Sequence, residues 1–366
     1  MNFFVNTRVI TGVGCIRENS DKLSAFGKKC LIVTGASSAK KCGALDDVTE
    51  ALASQKIEYI IYDRIQQNPT VESCFEAGRI AYGNEFGFIL GIGGGSPLDA
   101  AKAIAVIAAN PCISEENLYA MQWENKPLAV VAVGTTAGTG SEVTSVAVIT
   151  NSKGFKKSFR NDLTYPVLSF GDPKYTMSLS DSFTRSTAVD ALAHCVESFF
   201  NRSANDISKI FAVAGVRKLF KVFDKIMSEG TEKLTLEDRE ELYNASLLGG
   251  YAISVTGTAF PHALGYFLTE NYGVAHGTAC AVFLNAFLDY NISEKPELAE
   301  EFLDEIRISA DEFKAVVSAV TPEINVKLSQ DDITELSPRW ENNASLRRNW
   351  GTVDTAFVNS LLGNLF

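Results

Sequence analysis

Between residues 29 and 172 short apolar runs alternate with stretches of helical periodicity. The runs CLIVTG, EYIIYD, FGFILGI, LAVVAV, SVAVIT and VLSFGD have strand length, and strands that alternate with amphipathic helices build a mainly parallel sheet. From Thr176 onward the pattern is helical only, as in TRSTAVDALAHCVESFF, ISKIFAVAGVRKLFKVFDKIM and LEDREELYNASLLGGYAIS. The change in period predicts an α/β domain over residues 1–178 and an all-helical domain over residues 179–366. No repeat, low-complexity tract or Pro/Ser-rich linker interrupts the chain.

Two segments in the first half carry the grammar of a ligand site. In FGFILGIGGGSPLDAAKAIAVIA an apolar strand runs to Ile92, a tight turn follows, and small and apolar residues at helical spacing begin at Leu98. Ser96 is expected to cap that helix, with Pro97 at its first position and Asp99 at its third. The amides of Gly93, Gly94, Gly95 and Ser96 would then face an anion at the helix mouth, where unsatisfied donors and the dipole favour negative charge. A pyrophosphate suits that place. The string is not GxGxxG, however, and a glycine turn also serves close packing of strand on helix. In LAVVAVGTTAGTGSEVTSVAVIT a strand ends at Val133 and Thr135, Thr136 and Thr139 supply hydroxyls beyond its carboxyl end, where open α/β sheets bind ligands. A plain turn-rich loop reads the same way.

The second half holds all three histidines of the chain, His194, His262 and His276. Asp190 and His194 stand at i and i+4 in DALAHCVES, on one helical face. His262 and His276 lie in FPHALGYFLTENYGVAHGTACAVFL, where a break at 271–273 separates two helical stretches. One carboxylate and three imidazoles from facing helices can close on a divalent cation. Taken singly, each reads more readily as a hydrogen-bonded core residue. Cys195 follows His194 directly and so points about 100° away from it. Cys280 is expected in the core.

Net charge changes the list of partners. At −11 over 366 residues the chain is unsuited to nucleic acid or an anionic membrane. No apolar run reaches ~18 residues and the start MNFFVNTRVITG lacks a basic, then apolar, leader pattern. Seven cysteines without a CxxC read as reduced thiols. A cytoplasmic location and a homodimer are expected.

The quoted motifs, with FVNTRVITGVG, Asn68 and Pro69, and FLDYN, resemble in order and separation the iron-dependent (group III) alcohol dehydrogenase family over residues 4 to about 291. The resemblance implies a dinucleotide-binding α/β domain followed by an all-α metal-binding domain. It implies that Asp190, His194, His262 and His276 ligate the metal, with Fe²⁺ first and Zn²⁺ second. It also places Asn68, Gly93, Gly94, Gly95, Ser96, Asp99, Thr135, Thr136, Thr139 and Lys156 along a nicotinamide dinucleotide, with Lys157 as the alternative to Lys156. The implied reaction is hydride transfer between NAD(P)(H) and a small alcohol or aldehyde, run as an aldehyde reductase. A non-redox metal lyase or cyclase of dehydroquinate-synthase-like architecture is the alternative.

Departures from the family pattern matter too. A further histidine often found four residues after the third ligand is Tyr266 here, which leaves a phenol to relay a proton, or equally a tyrosine packed between helices. The proline before the paired threonines is Gly134, and the usual LPH is Leu284, Asn285 and Ala286. At the position where an acidic residue would hold the adenosine ribose stands Gly35, with Ser37, Ser38 and Lys40 close by. That arrangement leaves room for a 2′-phosphate, so NADP(H) is favoured and NAD(H) allowed.

Overall fold

The computed structural model describes residues 3–366. Two compact units are present, Phe4–Ser180 with Thr235–Tyr243, and Asp181–Leu234 with Asn244–Phe366.

The first unit contains β1 (Arg8–Thr11), β2 (Lys29–Thr34), β3 (Glu58–Tyr62), β4 (Phe88–Gly93), β5 (Ala129–Gly134), β6 (Val146–Thr150), β7 (Lys156–Arg160) and β8 (Leu168–Gly171). Six of them form one sheet in the order β1-β8-β5-β4-β2-β3, with every pair parallel. Its inner strands are buried on both faces, which is why they read as unbroken apolar runs. Leu31, Val33 and Ile89 pack on one side with Ala101, Ile104 and Ala105. Their neighbours Cys30, Ile32, Phe88 and Leu90 pack on the other with Val48 and Leu52.

The run SVAVIT departs from the parallel pattern. It forms β6, which pairs antiparallel with β7 in a separate two-stranded ribbon. The reason is the short connection: residues 151–155 bridge the two strands, tied by Asn151 accepting from the amides of Lys153 and Phe155. A link that short can join only antiparallel neighbours. Burial alternates along β6, with Ala147 and Ile149 inside, as a one-sided strand requires.

Among the described residues the regular elements of the second unit are all helices. At its centre lies the helix Asp181–Phe199, buried from Ala188 to Phe199 on every side. Around it stand Asp206–Glu229, the later turns of Leu236–Thr256, Phe260–Tyr272 and His276–Ala281. The charged stretch 294–312 contributes to two amphipathic helices, Pro296–Ile306 and Ala310–Val320. Phe302 and Phe313 point inward and meet at 6.0 Å.

Candidate metal centre and nucleotide turn

In the first unit β4 and β5 run in register to their carboxyl ends, Ile92 beside Val133 and Gly93 beside Gly134. The glycine turn and the threonine loop therefore leave the sheet side by side. The helix after the turn spans Gly95–Ala109, and its N-cap is Gly94, extended and without a capping side chain. This corrects the expectation that Ser96 caps it: Ser96 lies inside the first turn, and its Oγ instead accepts from the Asn68 amide at 3.2 Å. The helix starts earlier because Gly94 and Gly95 can lie against the threonine loop. A Cβ at Gly94 would come within 2.8 Å of Thr136 Oγ1, and one at Gly95 within 2.9 Å of Thr139 Cγ2. With no side chain capping the helix, its first amides are left for an anion.

The structure brings together Gly93, Gly94, Gly95, Ser96, Asn68, Thr135, Thr136 and Thr139. The Thr135 amide donates to the Gly93 carbonyl at 2.9 Å, and Asn68 holds a left-handed φ of 58°. Asp99 is engaged otherwise: its Oδ1 accepts from Ser141 Oγ at 2.6 Å and its Oδ2 from the Val148 amide at 2.9 Å. It fastens the helix to the β5–β6 connection.

Lys102, which sequence reasoning passed over, completes that clasp. Fully buried, its ammonium donates to Ser141 Oγ at 2.7 Å and to the Val146 carbonyl at 2.8 Å. Burial pulls its pKa down against Asp99 and Glu142. On β7, Lys156 is half-buried, while Lys157 lies on the other face with its ammonium 4.7 Å from the Tyr119 ring centroid. Gly35 follows β2, and Ser37 and Ser38 begin the short helix Ser38–Lys41. Lys40 faces a carboxylate, Asp63 Oδ2, at 3.5 Å.

In the second unit the break falls at Gly273, left-handed at φ 66°, and turns the chain back so that His276 opens the next helix. Gly277 lets that helix touch the central one, since a Cβ there would lie 2.7 Å from the Asp190 Cβ. His262, His276 and Asp190 thereby converge. Ligand atoms of Asp190, His262, His276 and Cys280 all lie within 4.8 Å of one another. His194, on the same face as Asp190, stacks its ring on His262 at 4.6 Å between centroids. Cys280 is buried as expected, but it faces this group rather than apolar core alone.

Asp190 Oδ1 and His262 Nε2 are buried and make no hydrogen bond, although they face each other at 3.5 Å. Each is left with this loose ion pair and no hydrogen bond, and a buried polar atom without a hydrogen bond costs of order 1–3 kcal/mol. A cation at about 2.1 Å from each ligand puts neighbouring donors about 3.4 Å apart in a tetrahedral shell, close to the 3.5 Å between Asp190 Oδ1 and His262 Nε2. The residues therefore fit a divalent metal. Burial raises the Asp190 carboxyl, but His194, His262 and His276 outweigh it and hold Asp190 well below the usual carboxylate range. Burial also pulls His262 down, yet Cys280, Glu197 and Asp190 drive it well above the ordinary imidazole value. Burial pushes the Cys280 thiol up to about 11.

Glu197 is the second residue that sequence reasoning missed. It stands at i+7 from Asp190 and i+3 from His194, on the same face of the central helix, so its spacing was a usable signal. Fully buried, it meets His262 Nδ1 with Oε1 and accepts from the Ala259 amide with Oε2. A carboxylate behind an imidazole fixes ring orientation and leaves Nε2 for a metal. Tyr266, half-buried, stacks nearly parallel on His276, 5.6 Å between centroids and 10° between planes.

Comparison with known proteins now decides the family. The profile described as "Iron-containing alcohol dehydrogenase" matches residues 6–173, and that of the "Fe-containing alcohol dehydrogenase family, C-terminal" matches residues 184–336. The chain belongs to the iron-containing alcohol dehydrogenase family. Alcohol dehydrogenase 4 of Schizosaccharomyces pombe is 31% identical over 79% of this chain and 68% of its own. The 1,3-propanediol dehydrogenase of Citrobacter freundii is 32% identical over 74% of this chain and 70% of its own. The crystal structure of an iron-containing alcohol dehydrogenase from Thermotoga maritima superposes with a TM-score of 0.91 at 32% identity, covering 100% of this chain and 99% of that one. This family member is thus an oxidoreductase of the alcohol dehydrogenase type. The lyase alternative is not favoured by relatives of this kind. Among the described residues no helix is long and apolar enough to cross a membrane, and all seven cysteines are free.

Proposed function

We propose that the protein is a metal-dependent aldehyde reductase that moves a hydride between a nicotinamide dinucleotide and a small alcohol or aldehyde. The observation that carries the reading is the unsatisfied pair Asp190 Oδ1 and His262 Nε2, 3.5 Å apart and buried. Asp190, His194, His262 and His276 hold the metal, Fe²⁺ before Zn²⁺. When bound, the metal supplies Lewis acidity toward the substrate oxygen. Glu197 keeps the His262 ring oriented. Tyr266, stacked on His276, gives or takes the proton at its Oη.

The backbone of Gly93, Gly94 and Gly95 with Ser96 cradles the pyrophosphate, and Asn68, Asp99, Thr135, Thr136, Thr139 and Lys156 line the rest of the dinucleotide site. Asp99 does so by holding the loop. NADP(H) is accepted at Gly35, Ser37 and Ser38 because Gly35 carries no carboxylate to repel a 2′-phosphate; NAD(H) is used as well. Relatives include an NAD-dependent methanol dehydrogenase of Bacillus methanolicus and the 1,3-propanediol dehydrogenase above, so short alcohols and diol-derived aldehydes head the substrate panel. The reading includes a cytoplasmic homodimer, which sedimentation of the purified chain and fractionation of its cells would check.

The experiment is NADPH and NADH oxidation by enzyme reconstituted with Fe²⁺ or Zn²⁺ under anaerobic conditions, against that panel. The result expected is metal-dependent turnover that EDTA abolishes, together with a His262→Ala variant that binds dinucleotide but retains no metal. Turnover unaffected by EDTA, or a His262→Ala variant holding one metal per chain, overturns the reading.

A further inference from the structure

Of the two cysteines in the helical unit, both fully buried, one is turned away from the proposed ligands and the other toward them. Cys195 Sγ faces Gly215 and Gly249, where added Cβ atoms would lie 2.5 Å and 3.5 Å from it. Cys280 Sγ belongs to the group of ligand atoms that lie within 4.8 Å of one another, with Asp190, His262 and His276. The placement is fixed on two sides. Cys280 follows His276 by one helical turn, with Sγ 3.8 Å from Nδ1 and 3.9 Å from Nε2, and it interacts with the His262 side chain as well. From the opposite side the helix Phe260–Tyr272 closes in, and a Cβ at Gly265 would lie 2.8 Å from the sulfur. The two buried atoms with no hydrogen bond, Asp190 Oδ1 and His262 Nε2, are members of the same group.

We propose that Cys280 Sγ is a further donor to the metal held by Asp190, His194, His262 and His276. The inference rests on the metal reading given above. On binding, a sulfur–metal bond forms and the thiol proton leaves to water. One thiolate among imidazoles and a carboxylate makes the shell softer than the oxygen and nitrogen set alone. Thiolate donors suit Zn²⁺. Cys280 is then the residue that narrows the preference of this chain for Fe²⁺ over Zn²⁺.

Cobalt spectroscopy on the whole protein tests this. Co²⁺-loaded enzyme should show visible d–d bands and, in the near ultraviolet, a thiolate-to-cobalt charge-transfer band. The Cys280→Ser variant should keep the d–d bands and lose the charge-transfer band. Cys112→Ser, at an exposed position, should keep both. X-ray absorption of the Zn²⁺-loaded parent needs no variant and should contain a sulfur scatterer at about 2.3 Å. Cobalt d–d bands without charge transfer in the parent, a band that survives Cys280→Ser, or a zinc shell of oxygen and nitrogen only overturns the role of Cys280 and leaves the metal site standing. A parent that binds neither cation overturns the metal reading and this inference with it.

Discussion

Replacing Glu197 with glutamine changes one buried oxygen into an NH₂ group and removes a charge, with almost no change in volume. In the folded chain both carboxylate oxygens receive donors, one from His262 Nδ1 and one from the Ala259 amide. Glutamine offers one acceptor, so one of those donors must face another donor. A lost hydrogen bond to a charged group is worth about 1.5–3 kcal/mol, and part of that loss falls on the imidazole. A ligating histidine deprived of its carboxylate partner typically loses 10–100-fold in metal affinity, or about 1.4–2.8 kcal/mol.

Metal retention should be measured by chelator competition, with thermal unfolding of the metal-free proteins recorded beside it. The expected outcome is a fall of at least tenfold in metal affinity for Glu197→Gln, with dinucleotide binding to the first unit unchanged. Metal affinity equal to the parent's would refute the claim that Glu197 orients His262. Equal losses in the metal-free melting temperature and in dinucleotide binding would show general damage instead.

Three further outcomes are expected. Gly94→Val puts a branched side chain where a Cβ already meets Thr136 Oγ1 at 2.8 Å, and calorimetry should find at least roughly tenfold weaker dinucleotide binding at unchanged metal content; unchanged binding would return the turn to a packing role. Gly35→Asp introduces a carboxylate beside Ser38, whose Oγ would lie 3.7 Å from the new Cβ. NADPH efficiency should drop by roughly tenfold with NADH efficiency held, and a parent already strongly NADH-selective in kcat/KM would defeat that reasoning. The third concerns Asp47, where burial raises the carboxyl but Lys174 and Tyr175 bring it below 3.8. A depressed folded pKa contributes stability above the unfolded value and loses it as pH falls through the folded one. Urea unfolding should therefore find Lys174→Met less stable by about 1 kcal/mol near neutral pH. The gap to the parent should close below about pH 4, and a gap independent of pH would contradict the assignment.

The residues that could be read from sequence are those whose meaning is local. A change of apolar period from strand to helix located the sheet and the helical half, because each period follows from backbone geometry alone. The i, i+4 spacing of Asp190 and His194, and the glycine break before His276, likewise exposed the imidazole cluster. Glu197 lay within reach of the same rule, at i+7, and was missed because its partner His262 is 65 residues away.

Only the tertiary structure decided the remainder. Whether Gly94 or Ser96 caps the helix depends on how closely the threonine loop approaches, and whether SVAVIT joins the parallel sheet depends on the length of the link to its partner strand. Whether Cys280 or Cys195 faces the imidazoles depends on how three helices pack. These are contacts between segments far apart in the chain, and no window of sequence contains both members.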